Sequence, residues 1–143
     1  MIESSMMIND KMPEYCVDRA AKILNKVKKA MNGSKVLVLG VAYKQDIDDY
    51  RESPALKVID VLEREGAEVT FFDPWVKEYK HNGQVRQSIP ALTEQVLKEA
   101  DLVMITTAHT NVDYDMVQKN AALIFDTKNA MKNIANRENI EVL

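Results

Sequence analysis

The chain has 143 residues, 46% of them hydrophobic and 29% charged, with a formal net charge of −3. These values describe one globular domain, long enough to bury a core and too apolar to stay disordered. They carry no basic footprint for nucleic acid, and no apolar run approaches the roughly 20 residues of a membrane helix. The start, with acidic Glu3, lacks a secretory signal's apolar core, and a lone cysteine, Cys16, excludes an internal disulfide and fits a reducing, cytoplasmic setting.

In chain order, methionines 1, 6, 7 and 12 give the first residues an apolar surface suited to meeting a preceding domain or a second copy. Asn9 and Asp10 are candidate helix caps, and Pro13 belongs in a first turn or at a kink. Cys16, Ala20, Ile23, Leu24, Val27, Ala30 and Met31 then recur at three- and four-residue spacing, an apolar stripe of about five helical turns. Lys22, Lys26, Lys28 and Lys29 suit the negative end of its dipole, and Asn32-Gly33 is its expected stop.

Val36 to Leu39 is a short unbroken apolar run closed by Gly40, as expected of a strand covered on both faces. A charged loop follows, with Lys44, Asp46, Asp48, Asp49, Arg51 and Glu52, and Ser53-Pro54 reads as the cap and first residue of a second helix. That helix carries the stripe Ala55, Leu56, Val58, Ile59, Val61, Leu62 and stops at Gly66. Glu68–Phe72 is a second strand ending at Asp73-Pro74, and Trp75 to Gln87 reads as a loop or short excursion. Pro90 opens a helix to about Ala100, Asp101–Thr106 is a third strand, and Asp113 caps a short helix to Lys119. Ala122–Asp126 is a fourth strand, and Ile140–Val142 adds a short last one. Strands alternating with helical stripes predict an α/β fold: a three-layer, Rossmann-like, doubly wound and mainly parallel sheet, preceded by a long amphipathic helix.

In such sheets ligands bind outside the carboxyl ends of the strands, where the Lys44 loop sits. The four glycines, at 33, 40, 66 and 83, form neither a dinucleotide loop nor a P-loop. Asp73 lies 33 residues after Gly40, farther than the roughly 20 expected of a ribose-binding acid. A complete NAD site within this chain is therefore not expected, and Asp73-Pro74 is read as a turn. Lys44 is either a solvated lysine or a flexible point donor to a phosphate or hydroxyl. Arg51 beside Asp48, Asp49 and Glu52 reads as a local ion-pair network, and Asp46, Asp48 and Asp49 would repel a pyrophosphate, so they are struts or interdomain partners. Cys16 is read as a small buried hydrophobe. His81 and His109 lack metal-ligand spacing, and Thr107 and His109 are expected to face the cleft. Asp73, Thr106 or Thr107, and Lys128 follow successive strands, which mimics a flavodoxin-like phosphoacceptor, although the acid pair that should end the first strand is missing.

The run Gly40-Val41-Ala42-Tyr43-Lys44, with Asp46, Asp48, Asp49 and Arg51-Glu52-Ser53-Pro54-Ala55, resembles the opening signature of the C-terminal UDP-binding domain of the UDP-glucose/GDP-mannose dehydrogenase family. The spelling is most similar to members that oxidise UDP-N-acetylhexosamines, and the likeness continues through Gly66–Val69, Asp73-Pro74, Ala100-Asp101, Thr107–His109 and Asp126–Asn129. The resemblance implies an NAD-dependent 6-dehydrogenase acting by two successive oxidations through a cysteine thiohemiacetal. It implies substrate contacts at Tyr43, Lys44 and Lys128, Lys128 standing where the family usually has arginine, and places Arg51 in the cofactor cleft between domains. The family's nucleophile and its main NAD-binding residues belong to regions without a counterpart here, so no catalytic residue is expected and the chain should bind without turning over. It also implies that residues 1–33 form a linker and homodimer helix and 34–143 the UDP-sugar-binding domain, in an enzyme making uronic acids for surface polysaccharide. A purely structural dimerisation domain is the remaining alternative.

Overall fold

The computed structural model describes residues 2–51 and 53–143, with side chains from Met12 onward within those limits. Helix α1 spans Ile2–Lys26 and carries Pro13 inside it, so it begins well before the expected first turn at Asn9 to Pro13. Asn9 and Asp10 are thus internal to the helix, and their side chains, like those of methionines 1, 6 and 7, lie outside the described residues. The helix also ends earlier than the stripe predicted. Lys28 turns left-handed (φ 63°), its N–H reaches Asn25 O at 3.0 Å, and Lys29 N–H reaches Leu24 O at 3.0 Å. This paired closure satisfies the last carbonyls one turn before Gly33. Cys16, Val17, Ala20, Ile23 and Leu24 are buried, whereas Val27, past the closure, is 45% exposed.

Strand β1 (Lys35–Leu39) is followed by α2 (Pro54–Arg64) and β2 (Glu68–Phe72). Ser53 Oγ accepts from Ala55 N–H and Pro54 occupies the first turn, as the sequence predicts. The expected excursion at 75–87 is an antiparallel hairpin of β3 (Glu78–His81) and β4 (Gln84–Gln87). Its two-residue turn, Asn82-Gly83, has positive φ at both residues (52° and 78°), the mirror-image geometry that suits strand twist. Tyr79 is buried against Tyr50 and Phe71, with ring centroids 5.9 and 5.1 Å away. The hairpin is also bonded to α2 through Arg86 to Glu63 and His81 to Asp60 (2.8 Å).

Helix α3 (Glu94–Glu99) starts after Thr93, whose Oγ1 accepts from Val96 N–H at 3.2 Å, and not at Pro90. The chain just before Pro90 is first tied back along β2, Ile89 N–H reaching Phe71 O at 2.9 Å. Then follow β5 (Leu102–Ile105), α4 (Tyr114–Asn120), capped by Asp113 as predicted, β6 (Ile124–Asp126) and β7 (Ile140–Val142).

The main sheet is parallel throughout, in the order β2-β1-β5-β6-β7, confirming the doubly wound α/β reading. Val36, Val38, Leu102, Met104 and Phe125 pack with α1 and α2, while Leu37, Leu39, Val103, Ile105 and Ile124 pack with α3 and α4. Successive strand residues point to opposite faces, so burial of both faces is what makes the central strands continuous apolar runs. The strand order reverses between β1 and β5, placing a topological switch point above Gly40 and Thr106.

Candidate functional site

The loop after β1 is held backbone atom by backbone atom. Gly40 has φ +88°, and a Cβ there would lie 2.4 Å from Thr107 Cβ and 2.8 Å from Thr107 O, so only glycine permits this approach of the two loops. Thr106 Oγ1 donates to Gly40 O, and Thr107 Oγ1 donates to Ala42 O at 2.8 Å. Val41 and Ala42 N–H groups donate to Asp73 Oδ2 at 2.8 and 3.1 Å, and Tyr43 N–H donates to Asp49 O at 2.7 Å. The chain is therefore pinned on both sides up to Tyr43, and the side chains of Tyr43 and Lys44 are left beside a cleft.

That cleft has a volume of about 500 Å³ and lies at the carboxyl ends of β1, β5 and β6, within the size range of small-molecule sites. Tyr43 and Lys44 form one wall, Thr127 and Lys128 another, and Thr106 the floor between them. Apolar side chains close the remainder: Met12, Pro13 and Cys16 from α1, Pro54, Ala55 and Val58 from the start of α2, and Leu143 just after β7. Asp126 positions Lys128: its Oδ1 accepts from Lys128 N–H at 3.1 Å and Ala130 N–H at 3.0 Å, and its Oδ2 from Met131 N–H at 2.8 Å. The side chains of the described lining residues thus bring two ammonium groups, a phenol, a buried thiol and two hydroxyls that already donate to Gly40 O and Ile105 O, and no carboxylate. The first turn of α2 borders the same space, and although Ser53 already accepts from its Ala55 and Leu56 N–H groups, the helix dipole adds positive potential there. The arrangement suits an anion with hydroxyls attached.

The structure brings Tyr43, Lys44 and Lys128 together across more than 80 residues of sequence, and it places Arg51 elsewhere. Arg51 is not among the described lining residues; its highly exposed guanidinium pairs with Asp49 at 3.2 Å. Glu52, read as part of that ion-pair network, lies outside the described residues. Cys16 is 5% exposed on the cleft wall, as its apolar stripe implies; burial pushes its thiol up, with the nearby Lys128 and Arg19 charges opposing.

One expectation is corrected and one alternative falls. Thr107 and His109 do not present side chains to the cleft: Thr107 spends its hydroxyl on Ala42 O, and His109 is 1% exposed. Nor is Asp73 a phosphoacceptor. It is 2% exposed, and five donors saturate it: Val41 N–H, Ala42 N–H and His109 Nε2 on Oδ2, Trp75 and Val76 N–H on Oδ1. Burial pushes its carboxyl up, but the His109 and backbone donors outweigh this and hold it below its ordinary range. The same bonds answer the dinucleotide question. The Val41 and Ala42 N–H groups that would have to cradle a pyrophosphate at this turn are committed to Asp73, so the β1–α2 turn does not fit NAD.

Fold and cleft together define a parallel α/β domain with a lysine-lined cleft at its switch point and, among the described residues, no glycine-rich dinucleotide loop. The family model described as "UDP-glucose/GDP-mannose dehydrogenase family, UDP binding domain" matches residues 37–133. The UDP-N-acetyl-D-mannosamine dehydrogenase of Methanocaldococcus jannaschii is 34% identical over 146 residues, covering 96% of this chain and 30% of the relative. That of Campylobacter jejuni is 35% identical over 111 residues, covering 76% of this chain and 26% of the relative. Among solved structures, the UDP-D-ManNAc dehydrogenase from Pyrococcus horikoshii superposes with a TM-score of 0.77 at 28% identity, over 95% of this chain and 31% of that one. The UDP-N-acetyl-mannosamine dehydrogenase Cap5O from Staphylococcus aureus gives 0.67 at 33% identity, over 96% of this chain and 30% of that one. The chain belongs to the UDP-glucose/GDP-mannose dehydrogenase family and corresponds to its UDP-binding domain. It spans about 30% of the length of these relatives.

Proposed function

We propose that this chain supplies the nucleotide-sugar side of an NAD-dependent UDP-N-acetylhexosamine 6-dehydrogenase, which oxidises the sugar's primary alcohol to a carboxylate in two steps. The observation that carries this reading is the pairing of Lys44 and Lys128 across a cleft whose described walls contribute no carboxylate side chain. In this reading the two ammonium groups neutralise the pyrophosphate, the Thr106 and Thr127 hydroxyls, whose protons go to Gly40 O and Ile105 O, accept from sugar hydroxyls, and the half-exposed Tyr43 ring offers a face to the base or sugar. Lysine at 128 supplies charge without arginine's two-pronged donor geometry. Arg51, exposed outside this cleft, faces the interdomain cofactor region.

The oxidant NAD is held mainly by protein regions beyond this domain, in keeping with the committed N–H groups of the β1–α2 turn. This chain binds UDP-sugar and does not turn it over. Residues 1–33 act as linker and homodimer helix and 34–143 as the binding domain. We place the enzyme in the cytoplasm, making uronic acids for surface polysaccharide.

Calorimetric titration with UDP, UDP-N-acetylglucosamine and NAD tests the reading. UDP ligands are expected to bind and NAD not. Lys44→Ala removes a charge-assisted bond of about 1.5–3 kcal/mol, a loss of roughly ten- to a hundredfold in affinity. Equal UDP affinity in wild type and Lys44→Ala, or NADH formation by this chain alone, would overturn it.

A further inference from the structure

His109 sits where three loops meet and is not among the described residues that line the cleft. Its Nδ1 accepts the Asp46 N–H at 2.8 Å, so the ring proton resides on Nε2, which donates to Asp73 Oδ2 at 2.9 Å. Asp73 Oδ2 in turn holds Val41 and Ala42 N–H. The loop is thus fastened immediately before Tyr43, by Asp73, and two residues after Lys44, by His109.

The far fastening is itself braced. Asp46 adopts a left-handed conformation (φ 60°), uncommon for a residue with a side chain, and its carboxylate accepts Thr110 N–H at 2.9 Å and Thr110 Oγ1 at 2.8 Å. Tyr114 Oη donates to His109 O at 2.7 Å, anchoring the histidine's own backbone to α4. Apart from the local Tyr114–His109 bond, these bonds run between segments far apart in sequence. A buried histidine with both ring nitrogens spent on the two ends of one short loop has the geometry of a spacer that sets where that loop's side chains stand.

We propose that His109 is a positioning residue for nucleotide-sugar binding, its Nε2–H tautomer bridging Asp73 and the Asp46 backbone so that Tyr43 and Lys44 are held over the cleft. The inference rests on the reading of that cleft as the UDP site. His109 acts through the loop and never touches the ligand.

The test uses the whole chain, with UDP as probe. His109→Asn keeps an acceptor near the Asp46 N–H and loses the donor to Asp73, while His109→Phe conserves bulk and loses both. UDP affinity is expected to fall at least tenfold in His109→Phe and by less in His109→Asn. Leu97→Ala, a core truncation under α3 remote from the cleft, lowers the thermal midpoint without moving UDP affinity, which separates positioning from general destabilisation. In the wild type, nitrogen-15 spectra of the imidazole should report the Nε2–H tautomer, a measurement that needs no variant. An Nδ1–H tautomer, or variants that bind UDP as wild type does while Lys44→Ala does not, would overturn this inference and leave the cleft reading standing. Absence of UDP binding to the wild type would overturn both.

Discussion

Gly40→Ala probes the point where the β1 and β5 loops meet. An alanine there must adopt φ +88°, which disfavours any L side chain by about 1–2 kcal/mol. It must also place a methyl group 2.4 Å from Thr107 Cβ, 2.8 Å from Thr107 O and 2.9 Å from Thr107 N. Overpacking of that kind costs about 1–3 kcal/mol, so the total is roughly 2–5 kcal/mol, a large part of a domain's usual stability. Gly83→Ala is the internal control: φ is +78° there and nothing lies within 4 Å, so only the conformational part, about 1–2 kcal/mol, should be lost. Urea denaturation followed by circular dichroism measures both. Adding Thr107→Gly to Gly40→Ala should recover little, because two of the three contacts are to Thr107 backbone atoms. Equal losses in the two alanine variants would refute the claim that close loop approach is what demands glycine at position 40, and full rescue by Thr107→Gly would refute the part assigned to the Thr107 backbone.

Two further predictions concern pH. Asp73 has a folded value depressed below the unfolded one, so its contribution is complete above the ordinary carboxylate value of about 4 and disappears as pH falls through the lower folded value. The acid-side decline in unfolding free energy should accordingly be shallower in Asp73→Asn, a variant that starts from a lower plateau; superimposable slopes would contradict the five-donor account. Tyr79 and Tyr114 are both pushed up to about 12 by burial. Their contribution is complete below the unfolded value of about 10 and is lost as pH rises toward the folded value, so ultraviolet titration should show these two phenols un-ionised at pH 11 until the chain unfolds, an expectation checked with Tyr79→Phe and Tyr114→Phe.

Much of the architecture follows from local chemistry. Val36–Leu39 is a strand because four apolar residues in a row must be covered on both faces, and Ser53-Pro54 starts α2 because cap and first-turn preferences act within three residues of chain. Asp113 caps α4 for the same local reason. The Asn82-Gly83 hairpin signal is equally local, yet it stands among charged residues without a clean apolar alternation, so the sequence alone reads there as a loop or short excursion. Lys44 and Lys128 were legible as candidates because each follows a recognisable strand, and a parallel sheet gathers the ends of its strands on one side.

Other features depended on contacts that no stretch of sequence contains. The end of α1 was decided by a left-handed turn at Lys28, against an apolar stripe that continues to Met31. Whether Asp73 was a turn residue, a ribose acid or a phosphoacceptor turned on five donors drawn from the β1 loop, its own turn and His109. His109 itself looked like an isolated cleft residue until folding placed Asp46 and Asp73 on either side of its ring. Periodicity and capping register forces between near neighbours, so they determined the strands, most helices and the side of the sheet that carries the cleft. The role of a polar side chain depends on which partners burial brings within 3 Å of it, and that only the tertiary structure decided.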